Sequence, residues 1–455
     1  MTTRNHLNRM AIVFAALFLA SLAARPAAAQ GAAPSQQPSY TIDEYNAEQK
    51  AAAEKDPAAR IKLLDAFAAQ FPNSTLMQYI HQFYYTSYFQ LKNYAKAIEY
   101  TDKLVALGDK ADVTQRVTAI QARIQLFPSA FDAKAADAHD QLTKERDAAL
   151  LGAKLLPDLK KAKPDVTDEQ LKTFTSAMQG AAGTASMQLK DYPAAVTAFK
   201  AQLALNPNDA VASYRLGLAY LQSTPPQSLD GFWALARAVN LKISDADKVK
   251  DYLRKSVINY EQPNCDSLVD AQLSEMLQLA AGAQERPATY TIPSAADIQK
   301  VAQASTIISV IGELSGGGDK EKLTWLAVCG AEFPEVVGKI IDVKKSDSFV
   351  IVLVFTSASS DEIQAATTAN MDVKVWTAAP PAGATTAQVT PQPDAVRVQK
   401  DDEIRFSGTL VSYDPSPFVL HWDMSKVDPT TIPAEKGGPA KRPAPRRAAP
   451  KPTGN

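Results

Sequence analysis

QGAAGTASMQLKDYPAAVTAFKAQLALNP occupies residues 179–207, and NDAVASYRLGLAYLQ follows over 208–222. Apolar positions recur at helical spacing on both sides of the polar break Leu189-Lys190-Asp191, so the stretch reads as two antiparallel helices followed by a third. Gly183 and Gly217 stand 34 residues apart, the period of a repeated helical hairpin. Small residues at Gly183 and Ala195 let two helices approach closely, and Phe199 fills the space between them. Pro207 cannot continue a helix and ends the second one before the next unit starts.

The same pattern returns upstream. YFQLKNYAKAIEYTDKLVALGD, residues 88–109, aligns without a gap on SMQLKDYPAAVTAFKAQLALNP, residues 186–207. Tyr94 then matches Tyr192, Ala97 matches Ala195 and Leu107 matches Leu205. On these residues the chain resembles the tetratricopeptide repeat (TPR) family. Gly183, Ala195, Phe199 and Pro207 carry the resemblance in one unit, Leu216, Gly217 and Tyr220 in the next, and Tyr94 and Ala97 in the upstream one. The upstream unit departs from the family pattern at Tyr85, where a small residue is expected, and at Thr101, where an aromatic is expected. Ala97 and Ala195 are 98 residues apart, which is not a whole number of periods, so the units between them are irregular.

The resemblance implies a concave groove lined by the first helix of each unit, suited to an extended peptide or a helix. By register its lining here is Tyr79, Gln82, Thr86, Phe89 and Gln90, and later Tyr214, Leu218 and Gln222. Tyr84, Tyr85 and Tyr88 read as core between helices. The lysine and asparagine pattern of TPR domains that clamp a C-terminal carboxylate is missing, since Gln82 and Thr86 stand there.

The 455 residues exceed one ordinary domain. Residues 41–285 read as a TPR-like helical repeat domain after a linker at 30–40. Residues 286–330 read as a linker and helical connector, with helices over Ala295–Leu314 and Lys320–Cys329. Strand signals then follow at Val336–Val343, Ser348–Thr356, Met371–Trp376, Glu403–Tyr413 and Phe418–Asp423, giving a small β-domain over 331–430. Five strands with a long connection after the third are similar to an OB-like barrel, with the Pro/Ala-rich stretch Thr377–Val396 in place of the usual connecting helix. The expected fold class is therefore mainly α: a TPR-like α-solenoid followed by a small C-terminal β-barrel, OB-like.

Residues 1–29 read as a secretory signal peptide. Arg4 and Arg9 precede the apolar run Met10–Ala24, and Ala27-Ala28-Ala29 fits a cleavage site. The expectation is an exported, soluble protein, periplasmic or secreted. In that setting Cys265 and Cys329 either form a disulfide or remain two buried thiols. Residues 431–455 are a basic Pro/Ala-rich tail, carrying Lys436, Lys441, Arg442, Arg446, Arg447 and Lys451 after the last acid, Glu435. The net charge of -1 conceals a split: without the leader's three arginines and the tail's six cations, Gln30–Glu435 carries -10. Such a body repels a phosphate backbone, so nucleic acid is not an expected partner. The tail offers contact with an anionic envelope surface.

Signatures of catalysis are absent. His81, His139 and His421 form no metal-spacing pattern, and Gly312–Gly318 is neither a nucleophile elbow nor a phosphate loop. No enzyme activity, cofactor or metal is expected. The reading is a non-catalytic TPR scaffold that binds protein partners in the cell envelope. The alternative is a binding module whose β-domain holds a glycan or lipid, with the repeats serving assembly; Trp376, Tyr413 and Trp422 are its candidate stacking residues, although core or hairpin packing is the commoner role for such rings.

Overall fold

A computed structural model of the chain describes residues 39–381, 383 and 389–434. The stretch read as a signal peptide, most of the expected first linker and the basic tail from Glu435 onward lie outside the described residues. Among those residues are sixteen α-helices and five strands, the strands all following the main helical array. The chain divides into two compact units. One runs to Phe131 and includes Lys161–Lys163, and the other comprises the remainder.

The first unit contains α1 (Ile42–Ala53), α2 (Pro57–Gln70), α3 (Met77–Gln90), α4 (Tyr94–Ala106) and α5 (Val113–Ala130), each packed on its chain neighbour. Local chemistry sets the boundaries. Asp56 caps α2 through its side chain with Pro57 at the first turn, and Asn93 caps α4. Ala97, Leu104, Ala119, Ala122 and Leu126 are buried with Tyr85 between α3, α4 and α5. Tyr85 and Thr101 explain the departure from the repeat pattern. Both are buried, at 2% and 0% exposure, so this hairpin carries the large residue on its first helix and the small one on its second.

The second unit opens with α6 (Ala138–Ala162) and continues with α7 (Asp168–Gln188), α8 (Tyr192–Leu205), α9 (Ala210–Gln222), α10 (Ser228–Asn240), α11 (Ala246–Glu261) and α12 (Leu268–Gly282). The close approach read from the sequence holds. A Cβ at Gly183 would stand 2.6 Å from Phe199 Cε1, and one at Gly217 would stand 2.8 Å from Leu235 Cγ. Ala195 and Phe199 are fully buried, and Leu216 and Tyr220 nearly so. Pro207 sits just beyond the end of α8 at Leu205. The turns of the matched segments also coincide. Lys92 and Lys190 both adopt positive φ, with Asn93 N bonded to Tyr88 O and Asp191 N to Ser186 O, each at 2.9 Å. Lys242 repeats this turn after α10, with Ile243 N on Ala238 O at 3.1 Å.

Three short helices, α13 (Ala295–Ala304), α14 (Ile307–Gly316) and α15 (Gly318–Val328), lead to β1 (Glu332–Lys345), β2 (Phe349–Phe355), α16 (Ser360–Ala365), β3 (Met371–Trp376), β4 (Glu403–Pro415) and β5 (Phe418–Val427). Two readings are corrected here. The single helix expected over 295–314 is two, because Thr306 starts a new helix with a capping box to Ser309. The connector is also no linker in its helical part. Ile298, Val310, Leu314, Leu326, Ala327 and Val328 belong to the same buried core as the barrel strands.

The strands close into a barrel in the order β1-β2-β3-β5-β4, antiparallel except for the β3–β5 pair. Alternation selects the interior: Val350, Val352 and Val354 of β2 and Met371, Val373 and Val375 of β3 are fully buried. Gly338 of β1 permits the closure, since a Cβ there would lie 2.6 Å from Phe355 O. Cys265, before α12, forms a disulfide with Cys329, at the end of α15, with a Cα separation of 5.9 Å. This selects the bridge over two free thiols.

Candidate functional site

In the first unit α3 and α4 bring together a stack of tyrosines. Tyr84 and Tyr100 lie 4.0 Å apart between ring centroids, Tyr88 and Tyr100 5.6 Å, and His81 is 5.9 Å from Tyr100. The Tyr84 hydroxyl donates to Asp65 Oδ1 of α2 at 2.6 Å. Lys103 Nζ lies 4.2 Å from the Tyr100 ring centre, and Glu99 bridges Lys96 and Lys103 at 2.7 Å each. Burial, helped by the Lys103 charge, lowers the His81 imidazole to about 4, so it is neutral at physiological pH. Tyr84 and His81 are buried within this stack, so only the half-buried Tyr88 and Tyr100 and the charges of Lys96, Glu99 and Lys103 face outward from it.

The candidate groove residues divide. Phe89 and Gln90 are exposed at the end of α3, with the Phe89 ring 6.2 Å from Tyr94. Gln82 is half-buried, and Tyr79 is half-buried against the core of α1, α2 and α3. Thr86 is withdrawn from the groove: it is 8% exposed and its hydroxyl donates to Phe83 O within its own helix. As expected for core, Tyr84 and Tyr85 are buried, whereas Tyr88 is only half-buried.

In the second unit Gln222 is exposed and Leu218 half-buried on α9. Tyr214 packs against the cluster holding Phe232, Trp233 and Leu235, so it serves the hairpin as much as any surface. Beside it Arg215 Nη1 donates to Thr184 Oγ1 on α7 at 2.9 Å. Two determinants of this region escape the sequence pattern. Gly231 and Leu235 stand where 34-residue spacing from Ala195 and Phe199 would put Leu229 and Trp233, because the Pro225-Pro226 turn is two residues longer. Arg237 of α10 is the other. Its guanidinium donates to Pro207 O at 3.0 Å and Ala283 O at 2.9 Å, tying down carbonyls that follow the ends of α8 and α12.

On the barrel, packing rather than stacking on a ligand takes up the candidate aromatics. Trp422 is 2% exposed and packs edge-on to Phe333 and Phe406, and Trp376 is 3% exposed with its indole N–H on Asp423 Oδ1 at 2.9 Å. Tyr413 is half-buried, holds Glu321 Oε1 through its hydroxyl at 2.5 Å and lies against Trp325. Alternation with Leu420 places Trp422 in the barrel core, whereas Trp376 breaks the alternation of β3: it follows buried Val375 on the face of Asp372 and Lys374, and is buried there against Phe349 with Lys374 Nζ 4.1 Å from its ring. Outside, His421 stands between Asp414 at 3.0 Å and Asp372 at 3.6 Å. Where β1 bulges away from β4, an open cleft of about 320 Å³ is lined by residues including Glu335, Arg405, Lys426 and Asp428. Arg405 is already paired with Glu335 at 3.1 Å.

Among the described residues no group of three or more His, Cys, Asp or Glu is placed to hold a metal, and no helix there is long and apolar enough to cross a membrane. No protein-family model matches the chain, and no curated protein matches it.

Proposed function

We propose that this chain is a non-catalytic, exported scaffold of the TPR type that binds protein partners in the cell envelope through its helical hairpins. The observation that carries the reading is the repeated small-on-large contact, Gly183 against Phe199 and Gly217 against Leu235, 34 residues apart on their first helices. Stacked hairpins built this way rest on their neighbours and leave the other faces of their first helices for ligands. Phe89, Gln90, Leu218 and Gln222 remain at least partly exposed and supply an aromatic, an aliphatic and two amides for such contacts. The Cys265–Cys329 bridge supports export, since disulfides persist in oxidising compartments. The basic tail adds affinity for an anionic envelope surface.

The test is capture of partners by the full chain from the exported fraction, repeated with F89A/Q90A and with L218A/Q222A. Partner loss in either variant, with the helical circular dichroism unchanged, supports the reading. Undiminished capture by both overturns it. The alternative of a glycan or lipid held by the barrel finds both tryptophans covered, Trp422 in the barrel core and Trp376 against Phe349, and no other observation favours it.

A further inference from the structure

Glu261 ends α11 with an exposure of 0%, and neither of its carboxylate oxygens accepts a hydrogen bond. Two more buried polar atoms in the same neighbourhood lack partners: Gln272 Oε1 on α12 and the Tyr290 hydroxyl in the segment that follows α12. The Gln272 side chain lies close enough to favour the charged form, but burial, which opposes it, outweighs that effect. The other charged or titratable groups around the site are Tyr260 on α11, Glu275 on α12, Arg286 and Tyr290 on the 283–294 segment, and Asp297 on α13. Of these only Arg286 is a cation, and it is engaged elsewhere: Nε on Asp230 Oδ1 at 2.9 Å and Nη1 on Tyr290 O at 2.7 Å. The C-terminal end of α11 carries the negative pole of the helix, which also opposes a carboxylate.

A buried, uncompensated carboxyl is tolerable only while it is neutral. We infer that the packing of α11, α12 and the 283–294 segment requires Glu261 to be protonated, and that its ionisation loosens this junction as the medium passes from acidic to mildly alkaline. Burial raises its carboxyl to about 7, which puts the change near neutrality. The loosened region carries the Tyr290 ring, 5.3 Å from that of Trp233, and runs through Cys265, so the junction includes the covalent tie to α15.

Amide hydrogen exchange on the full chain at pH 5.5 and pH 8, corrected for intrinsic rates, tests the inference. Peptides over 257–292 are expected to lose protection at pH 8 by on the order of tenfold, because ionisation in the open form precedes ionisation in the closed one. Peptides over 350–376 in the barrel serve as the internal control and keep theirs. E261Q, neutral at both values, is expected to abolish the change. Equal protection of 257–292 at both values in the wild-type chain overturns the inference, as does the same pH response in E261Q. Should E261Q fold poorly, the wild-type comparison decides alone.

Discussion

Gly183 and Phe199 show how little slack the helical hairpins have. The ring of Phe199 is 0% exposed, and three of its carbons lie within 2.9 Å of where a Cβ on Gly183 would stand. Alanine would add about 1 kcal/mol of helix propensity, but the overpacking costs typically 1–3 kcal/mol. Gly183→Ala is therefore expected to lower stability in denaturant titration, and F199L in the same chain to recover part of the loss. The reversed hairpin gives the sharper check. Thr101→Phe adds a ring at a position that is already 0% exposed and is expected to be destabilising, while Tyr85→Gly with Thr101→Phe is expected to cost less than the sum of the single changes. Additive single effects would mean that the two positions do not share one space.

At the scale of elements, the three-helix segment α13–α15 is held to the preceding array by the Cys265–Cys329 bridge and by Asn264 Nδ2 donating to Ala327 O at 3.2 Å. The bridge closes a segment of 64 residues in the unfolded chain. Its removal is expected to cost about 2–4 kcal/mol. Comparing unfolding midpoints with and without reductant, and of C265S/C329S, measures this; the unreduced denatured chain should show no reactive thiol. Identical midpoints would mean that packing of Leu268 and its neighbours on the barrel core suffices.

For the whole molecule, the two units are expected to respond to pH in opposite directions. His81, in the first, is neutral down to about 4 when folded but protonates below about 6.5 when unfolded. Its contribution is complete above 6.5 and is lost as pH falls toward 4. Glu261, in the second, is protonated up to about 7 when folded but ionises above about 4.5 when unfolded. Its contribution is complete below 4.5 and is lost as pH rises through 7. Each swing is on the order of 3 kcal/mol at most. All four tryptophans fall in the second unit, so their fluorescence follows it alone while far-ultraviolet circular dichroism follows both. H81Q should flatten the acid arm and E261Q the alkaline arm; an alkaline arm unchanged in E261Q would assign that slope to other groups.

The sequence by itself determined the local order of this protein. Periodicity and the 34-residue step located the hairpins, and the alternation in Phe349–Phe355 and Met371–Trp376 located strands to within a residue or two, because these patterns are written along the chain. What only the tertiary structure decided depends on residues distant in sequence. The two-residue longer turn at Pro225-Pro226 moved Leu235 into the place of Phe199, and the closed barrel took Trp422 into its core while burying Trp376 on the other face of β3. The connector helices became part of the barrel core through Ile298, Val310, Leu314, Leu326, Ala327 and Val328, a docking that no local pattern along the chain displays. Arg237 and Glu261 stayed illegible for the same reason: an arginine that ties two helix ends and a glutamate sealed from water look, in one dimension, like ordinary charges on helices.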